Sequence, residues 1–210
     1  MDTLKNYFLK HHQWVINVVL FISIGQFIYR ETQIYKIFKE LNFIDITFFI
    51  SSLVFLTVIL IRRNYQKVDT YWSHWLVATV SFFSNMYFIK TNPEAGIIVN
   101  IANVISLLAL LIGLAALLSL GRSFGIVPAI RVVKTGGAYR FVRHPMYLSD
   151  IITKIPLVMK YLNVYNVAIF IIAIVLYVLR IHFEEQLLRE FPEYQKYIKK
   201  VRYRFIPYIY

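Results

Sequence analysis

Two groups of residues in this chain carry side chains able to do chemistry. The first is the run Gly137-Ala138-Tyr139-Arg140-Phe141-Val142-Arg143-His144-Pro145-Met146-Tyr147-Leu148, and the second is the pair Glu184-Glu185. Both stand at the edges of long apolar stretches, where an ionised group is costly unless it has a task. Together they offer guanidinium and imidazole groups, aromatic faces, a proline bend and paired carboxylates. That set suits an enzyme that binds a charged small molecule at the cytoplasmic boundary between water and lipid.

The elements that must position these residues follow from composition. Of the 210 residues 59% are hydrophobic and 16% charged, well below the roughly 25% charged of soluble domains. The apolar residues gather into runs separated by charged clusters, and roughly 20 residues of helix cross a bilayer. The expected fold is therefore all-α, a single polytopic integral membrane domain over 1–210. It divides into N-terminal transmembrane helices (1–120) and a C-terminal catalytic region (121–210). Four spans are expected, about Trp14–Tyr29, Phe43–Ile61, Tyr71–Ile89 and Gly96–Leu120, followed by a helical hairpin and a cytoplasmic amphipathic tail. The first could pass for a signal peptide, but no small-residue cleavage site follows it, so a retained span is expected.

Arg122 to Arg143 holds five basic residues, three Gly and Pro128, which is too polar and too broken to span. Pro145 is placed to open a helix in its first turn. Met146 to Lys160 is apolar but carries Asp150 and Lys154, four apart and able to pair on one helix face. After a tight connection, Val167 to Arg180 resumes an apolar helix that runs on through Glu184-Glu185. Both termini are expected in the cytoplasm, because that arrangement places seventeen of the 23 Lys and Arg inside.

The formal charge of +12 does not mark a nucleic-acid binder, since the basic residues sit at the ends of apolar runs. Membrane lipids and an apolar small molecule are the expected partners. With no Cys there is no thiolate nucleophile or disulfide, and the spacing of His11, His12, His74 and His182 makes no metal site. Blander readings stand beside the chemical ones. His144 could be an interfacial histidine, Arg140 a lipid-phosphate anchor, and Glu184-Glu185 a solvated helix end with Glu185 pairing to Arg189. The tail, with Tyr194 and Tyr197 among its aromatics, suits either a helix lying on the membrane surface or a flap that closes a site.

The run from Gly137 to Leu148 resembles the Gly-any-Tyr and Arg-His-Pro-any-Tyr signature of the isoprenylcysteine carboxyl methyltransferase and phospholipid methyltransferase family. Arg180, Glu184-Glu185, Tyr194, Tyr197, Arg204 and Ile206-Pro207 follow the same order in the tail. The resemblance covers roughly Val132 to Pro207. It implies methyl transfer from S-adenosylmethionine to an isoprenylcysteine carboxylate-like or phospholipid amine-like acceptor. It also implies that Arg131, Val132, Val133, Lys134, Tyr139, His144, Pro145, Met146, Tyr147 and Glu184 hold the cofactor. Arg180, Glu184 and His144 then stand as catalytic residues, with Arg180 on the substrate side. Lys134 or Arg143 could meet the cofactor carboxylate. For an amine acceptor, His144 or Glu185 are the proton-accepting candidates.

Two other functions compete. Membrane sterol reductases that use NADPH share the Arg-His-Pro-any-Tyr element, but usually carry Asn after the Pro and Gly-Glu after the Tyr. Met146 and Leu148-Ser149-Asp150 depart from that pattern. A non-catalytic transporter or scaffold would line a route with polar residues, and the second to fourth spans offer no ionisable one. The family usually has Gly where Ser149 stands, so the side chains of Ser149 and Asp150 bear on substrate access.

Overall fold

The computed structural model describes residues 43–90, 96–206 and 209, together with six helical positions between Val18 and Tyr29. The expected span Trp14–Tyr29 falls mostly outside the described residues, as do His11 and His12. The described chain is mostly helical. In order it runs α1 (Phe43–Ile61), β1 (Lys67–Val68), α2 (Trp72–Phe82), α3 (Ile97–Leu120), β2 (Ala129–Ile130), α4 (Pro145–Lys160), α5 (Val164–Leu188) and α6 (Pro192–Lys200). The two strands form a minimal antiparallel pair, with Lys67 opposite Ile130 and Val68 opposite Ala129.

α3 and α5 are long and apolar enough to cross a membrane. Each leaves one face without protein cover: Val104, Leu107, Leu108 and Leu111 on α3, and Ile171, Ile172 and Val175 on α5. On its other face α3 carries Ala102, Ser106, Ala109 and Ala116, all buried. These small residues let α4 lie close, as small-residue stripes do between membrane helices. The approach is limiting at Gly113, where a Cβ would sit 2.6 Å from Ser149 Oγ. Ser149 Oγ also donates to the Ala109 carbonyl at 2.8 Å.

The expected span Tyr71–Ile89 is not one continuous helix. α2 stops at Phe82, a 3-10 turn follows over Phe83–Tyr87, and Phe88 is extended. The cause lies on α5. Arg180 Nη1 donates to the Ala78 carbonyl at 3.2 Å and the Tyr177 hydroxyl lies 3.1 Å from the Ser81 carbonyl. Asn166, fully buried, donates to the Ile89 carbonyl at 2.9 Å and accepts from its N–H at 3.0 Å. Backbone that leaves the helix at membrane depth is tolerated where protein satisfies it, and α5 supplies the partners.

The hairpin forms as expected. Pro145 opens α4 in its first turn, and Asn163 caps α5 by accepting from Asn166 N at 2.8 Å. Asp150 and Lys154 meet differently from expectation. Lys154 Nζ, fully buried, donates to the Asp150 backbone carbonyl at 3.1 Å and to the Tyr177 hydroxyl at 3.3 Å, so the phenol stands between ammonium and carboxylate.

Candidate active site at the connector

The connector between α3 and α4 is held by backbone contacts at both ends. Beneath α1, Arg63 N donates to the Arg122 carbonyl at 2.7 Å, Arg122 Nε to the Ile61 carbonyl at 2.8 Å, and Arg131 Nε to the Arg63 carbonyl at 2.7 Å. At the far end Arg143 N and His144 N donate to the Tyr203 and Arg204 carbonyls at 3.0 and 2.7 Å, which pins the tail against the connector. Between these ends Gly137 turns the chain with φ 59°, and a Cβ there would run into the Ser119 side chain. That close approach lets Ser119 Oγ accept from Ala138 N at 3.0 Å, so the 3-10 turn delivering Tyr139 rests on the end of α3.

The tail packs against the connector. Tyr194 and Tyr197 of α6 are buried, and they cluster with Tyr139, Val133 and Leu188. Tyr197 Oη donates to the Tyr139 carbonyl at 2.6 Å.

Connector, tail and the C-terminal end of α5 enclose a cavity of about 860 Å³, counted to its open mouth. Its wall includes Arg131, Val132, Val133, Lys134, Tyr139, His144, Met146, Tyr147 and Glu184, nine of the ten residues expected around the cofactor. Pro145 lies outside that wall, where it starts α4. β2 ends at Ile130, and Arg131–Lys134 follow it as an irregular segment facing the cavity. The wall residues not foreseen include Leu120, Ser123–Gly125, Ala129–Ile130 and Leu187–Leu188, from helix ends, a turn and β2, whose composition carries no chemical signal.

Glu184 is the acidic group of this cavity. The Tyr147 hydroxyl donates to its Oε1, and Arg180 Nε donates to the same oxygen at 3.2 Å. Arg180 itself is not on the cavity wall. Its Nη1 donates to the Ala78 carbonyl and Ser81 Oγ, its Nη2 to the Gly125 and Ile126 carbonyls at 3.2 and 2.5 Å, so all five N–H groups are engaged. The guanidinium also sits 4.8 Å over the Tyr147 ring. Arg180 therefore ties α5, α2 and the connector to the two side chains that line the cavity.

Glu185 departs most from expectation. Instead of a surface pair with Arg189, it is 2% exposed and gathers Arg143 Nη1 at 3.0 Å, Arg204 Nε at 3.2 Å and His144 Nε2 at 3.3 Å. Arg189, exposed, is its most distant partner at 3.6 Å. Arg143 is thus committed to Glu185 and, through Nη2, to the Arg202 carbonyl at 3.1 Å, although its buried Nε has no partner. His144 lies between the two carboxylates, with Nδ1 4.0 Å from Glu184 Oε2, and its ring stacks on Tyr147 at 5.5 Å between centroids. Arg140 is exposed, as an anchor would be.

The electrostatics of the wall follow from burial. Burial, with Arg62 nearby, brings the Arg131 guanidinium down to about 10, and its Nη1 is buried without a partner. Burial, then the Glu184 charge, pushes the Tyr139 phenol well above its ordinary value. The cavity thus presents an underused guanidinium on one side, a carboxylate on the other and neutral phenols between them. Among the described residues no three His, Asp or Glu group as a metal site would require. His74 packs instead, stacked on Phe183 at 3.7 Å with Nδ1 2.7 Å from Asp69 Oδ2.

Residues 99–190 match the isoprenylcysteine carboxyl methyltransferase (ICMT) family. The match begins inside α3, takes in the whole connector and the hairpin, and ends just past α5, so it contains both carboxylates and leaves α6 out. No curated protein matches the chain. The ICMT match points to a membrane methyltransferase, and the uncovered faces of α3 and α5 agree with membrane association.

Proposed function

We propose that the connector cavity binds S-adenosylmethionine at the cytoplasmic face of the membrane, and that the chain transfers its methyl group to a lipid-borne or apolar acceptor. The observation that carries this reading is convergence. Nine of the ten residues between 131 and 184 assigned to the cofactor on resemblance line one cavity.

The chemistry of the wall fits the group. Its carboxylate would meet Arg131, whose buried Nη1 lacks a partner, and its ammonium would meet Glu184. Tyr139 and Tyr147 offer aromatic faces to a cation or to adenine. When bound, S-adenosylmethionine supplies a methyl on positively charged sulfur. The protein's work is then alignment and exclusion of water. α6 serves the second task by closing Tyr194 and Tyr197 over the connector, and His144, held between Glu184 and Glu185, can take a proton at the cavity edge. Arg180 acts by fixing Tyr147 and Glu184 in place.

Four spans with both termini in the cytoplasm complete the proposal, since the positive charge then falls on the side of the cavity. Calorimetric titration of the purified chain with S-adenosylhomocysteine and with NADPH tests it. One homocysteine site and no NADPH heat is the expected result; NADPH binding with no homocysteine response would replace this reading with a reductase.

A further inference from the structure

A second cavity, of about 870 Å³ counted to its open mouth, lies among α1, the end of α2, α3 and α4. Met146 lines both cavities and so forms the boundary between them. Below it Ser149, Asp150 and Thr153 continue along the same face of α4, at helical spacings of three, four and seven. Most of the remaining wall is apolar, from Val54, Phe55 and Phe82 to Leu110, Leu114 and Leu117.

The polar groups of this second cavity are unequal in kind. Asp150 is the one ionisable residue on its described wall. The Ser149 hydroxyl is turned to the Ala109 carbonyl at 2.8 Å and the Thr153 hydroxyl to the Ser149 carbonyl at 2.9 Å, so neither proton is offered to a ligand. Asn85 Oδ1 is buried with no partner. The Asp150 carboxylate has a single hydrogen-bonding neighbour, the Tyr177 hydroxyl at 3.3 Å, out of about four lone-pair sites. The cations behind it are turned elsewhere: Lys154 bonds the Asp150 main chain and Tyr177, and Arg180 is saturated. Open to the cavity are two acceptors of note, the Asp150 carboxylate, an anion, and Asn85 Oδ1.

We propose that this cavity receives an amphiphile with a primary or secondary amine head group, that Asp150 and Asn85 recognise its N–H donors, and that the amine is the methyl acceptor. A carboxylate head group would face the like charge of Asp150 with no cation on the described wall to offset it. The inference rests on the proposed methyl transfer and narrows its acceptor. In the reaction the ammonium gives one proton to the Asp150 carboxylate and on to solvent. The freed nitrogen lone pair forms the N–C bond while the C–S bond breaks, with its electron pair left on sulfur as a neutral thioether. The positive charge of the sulfonium ends on the methylated nitrogen.

The chain has no Cys, so a thiol introduced by M86C, on the accessible rim beside Asn85, reports this cavity alone. The rate of its maleimide labelling in detergent is measured with hexadecylamine and with palmitate, probes that share a chain length and differ in head group. Hexadecylamine is expected to slow labelling and palmitate not to, and adding D150N is expected to weaken amine protection roughly ten- to a hundredfold. Radiolabelled methyl transfer to the two probes is run alongside, with label expected on the amine. Equal protection by both probes, protection unchanged in D150N, or label on palmitate would each overturn the proposal. Affinity for S-adenosylhomocysteine, measured on the same variants, is expected to stay within about twofold, because Asp150 is outside the first cavity. Loss of that affinity in the parent chain would sink the cofactor reading, whereas the labelling result stands without any cofactor.

Discussion

Substituting Arg180 separates two roles for that residue. The resemblance places it on the substrate side, yet its five N–H groups all end on protein: Glu184, the Ala78, Gly125 and Ile126 carbonyls and Ser81 Oγ. At 2% exposure, truncation to Ala strips partners from three buried carbonyls and a carboxylate at once. Breaking such a buried charge network costs about 3–5 kcal/mol, which for a chain of this size lowers Tm by roughly 6–20 °C. R180K keeps the charge but offers three donors on one atom, which cannot reach acceptors on α2, the connector and Glu184 together. It should lose about 2 kcal/mol and weaken S-adenosylhomocysteine binding through misplaced Tyr147 and Glu184. Thermal unfolding in detergent and calorimetric titration read both effects. An R180A protein with unchanged Tm and homocysteine affinity but a raised acceptor KM would refute the positioning role and restore the substrate-side one.

Four further outcomes follow from the same geometry. E185Q should free the tail, costing about 3–5 kcal/mol by leaving Arg143 and Arg204 opposite a neutral amide, and trypsin should then cut at Lys199-Lys200 faster than in the parent. Y197F removes the donor to the Tyr139 carbonyl and should cost about 1 kcal/mol in unfolding free energy, with a matching loss of homocysteine affinity. G137A combines positive φ with overlap on Ser119 and should lower stability by about 1–3 kcal/mol in denaturant titration, whereas S119A should be milder. Tyr139, Tyr194 and Tyr197 are held protonated by burial, so the unfolded chain releases their protons first and stability falls as pH rises past the ordinary tyrosine range. Arg131, brought down to about 10, opposes this with one proton against three, so alkaline unfolding followed by phenolate absorbance should still show a net loss above pH 10.

What could be read in the sequence was what depends on local pattern. α1 has the expected ends, and α3 runs between Gly96 and Gly121, both at positive φ, as the uninterrupted apolar run between them implies. The Pro145 start of α4 and the hairpin turn follow in the same way. What could not be read depends on partners far along the chain. The break in α2 is set by Arg180, Tyr177 and Asn166, whose reach to Ala78, Ser81 and Ile89 no local pattern encodes. Glu184 and Glu185 differ in role because neighbouring helix positions point about 100° apart, one into the cavity and one into the arginine cluster. Their order alone did not say which way each faced.

The central claim is one of place: a sulfonium cofactor held jointly by the connector, the C-terminal end of α5 and α6. Photo-crosslinking with an aryl-azide analogue of S-adenosylhomocysteine, followed by mass spectrometry of the labelled peptides, tests it directly. The account predicts label on peptides containing Arg131–Lys134, Tyr139 or Tyr194–Tyr197, displaced by unlabelled S-adenosylhomocysteine. Displaceable label confined to residues 43–90, or no displaceable label at all, would contradict it.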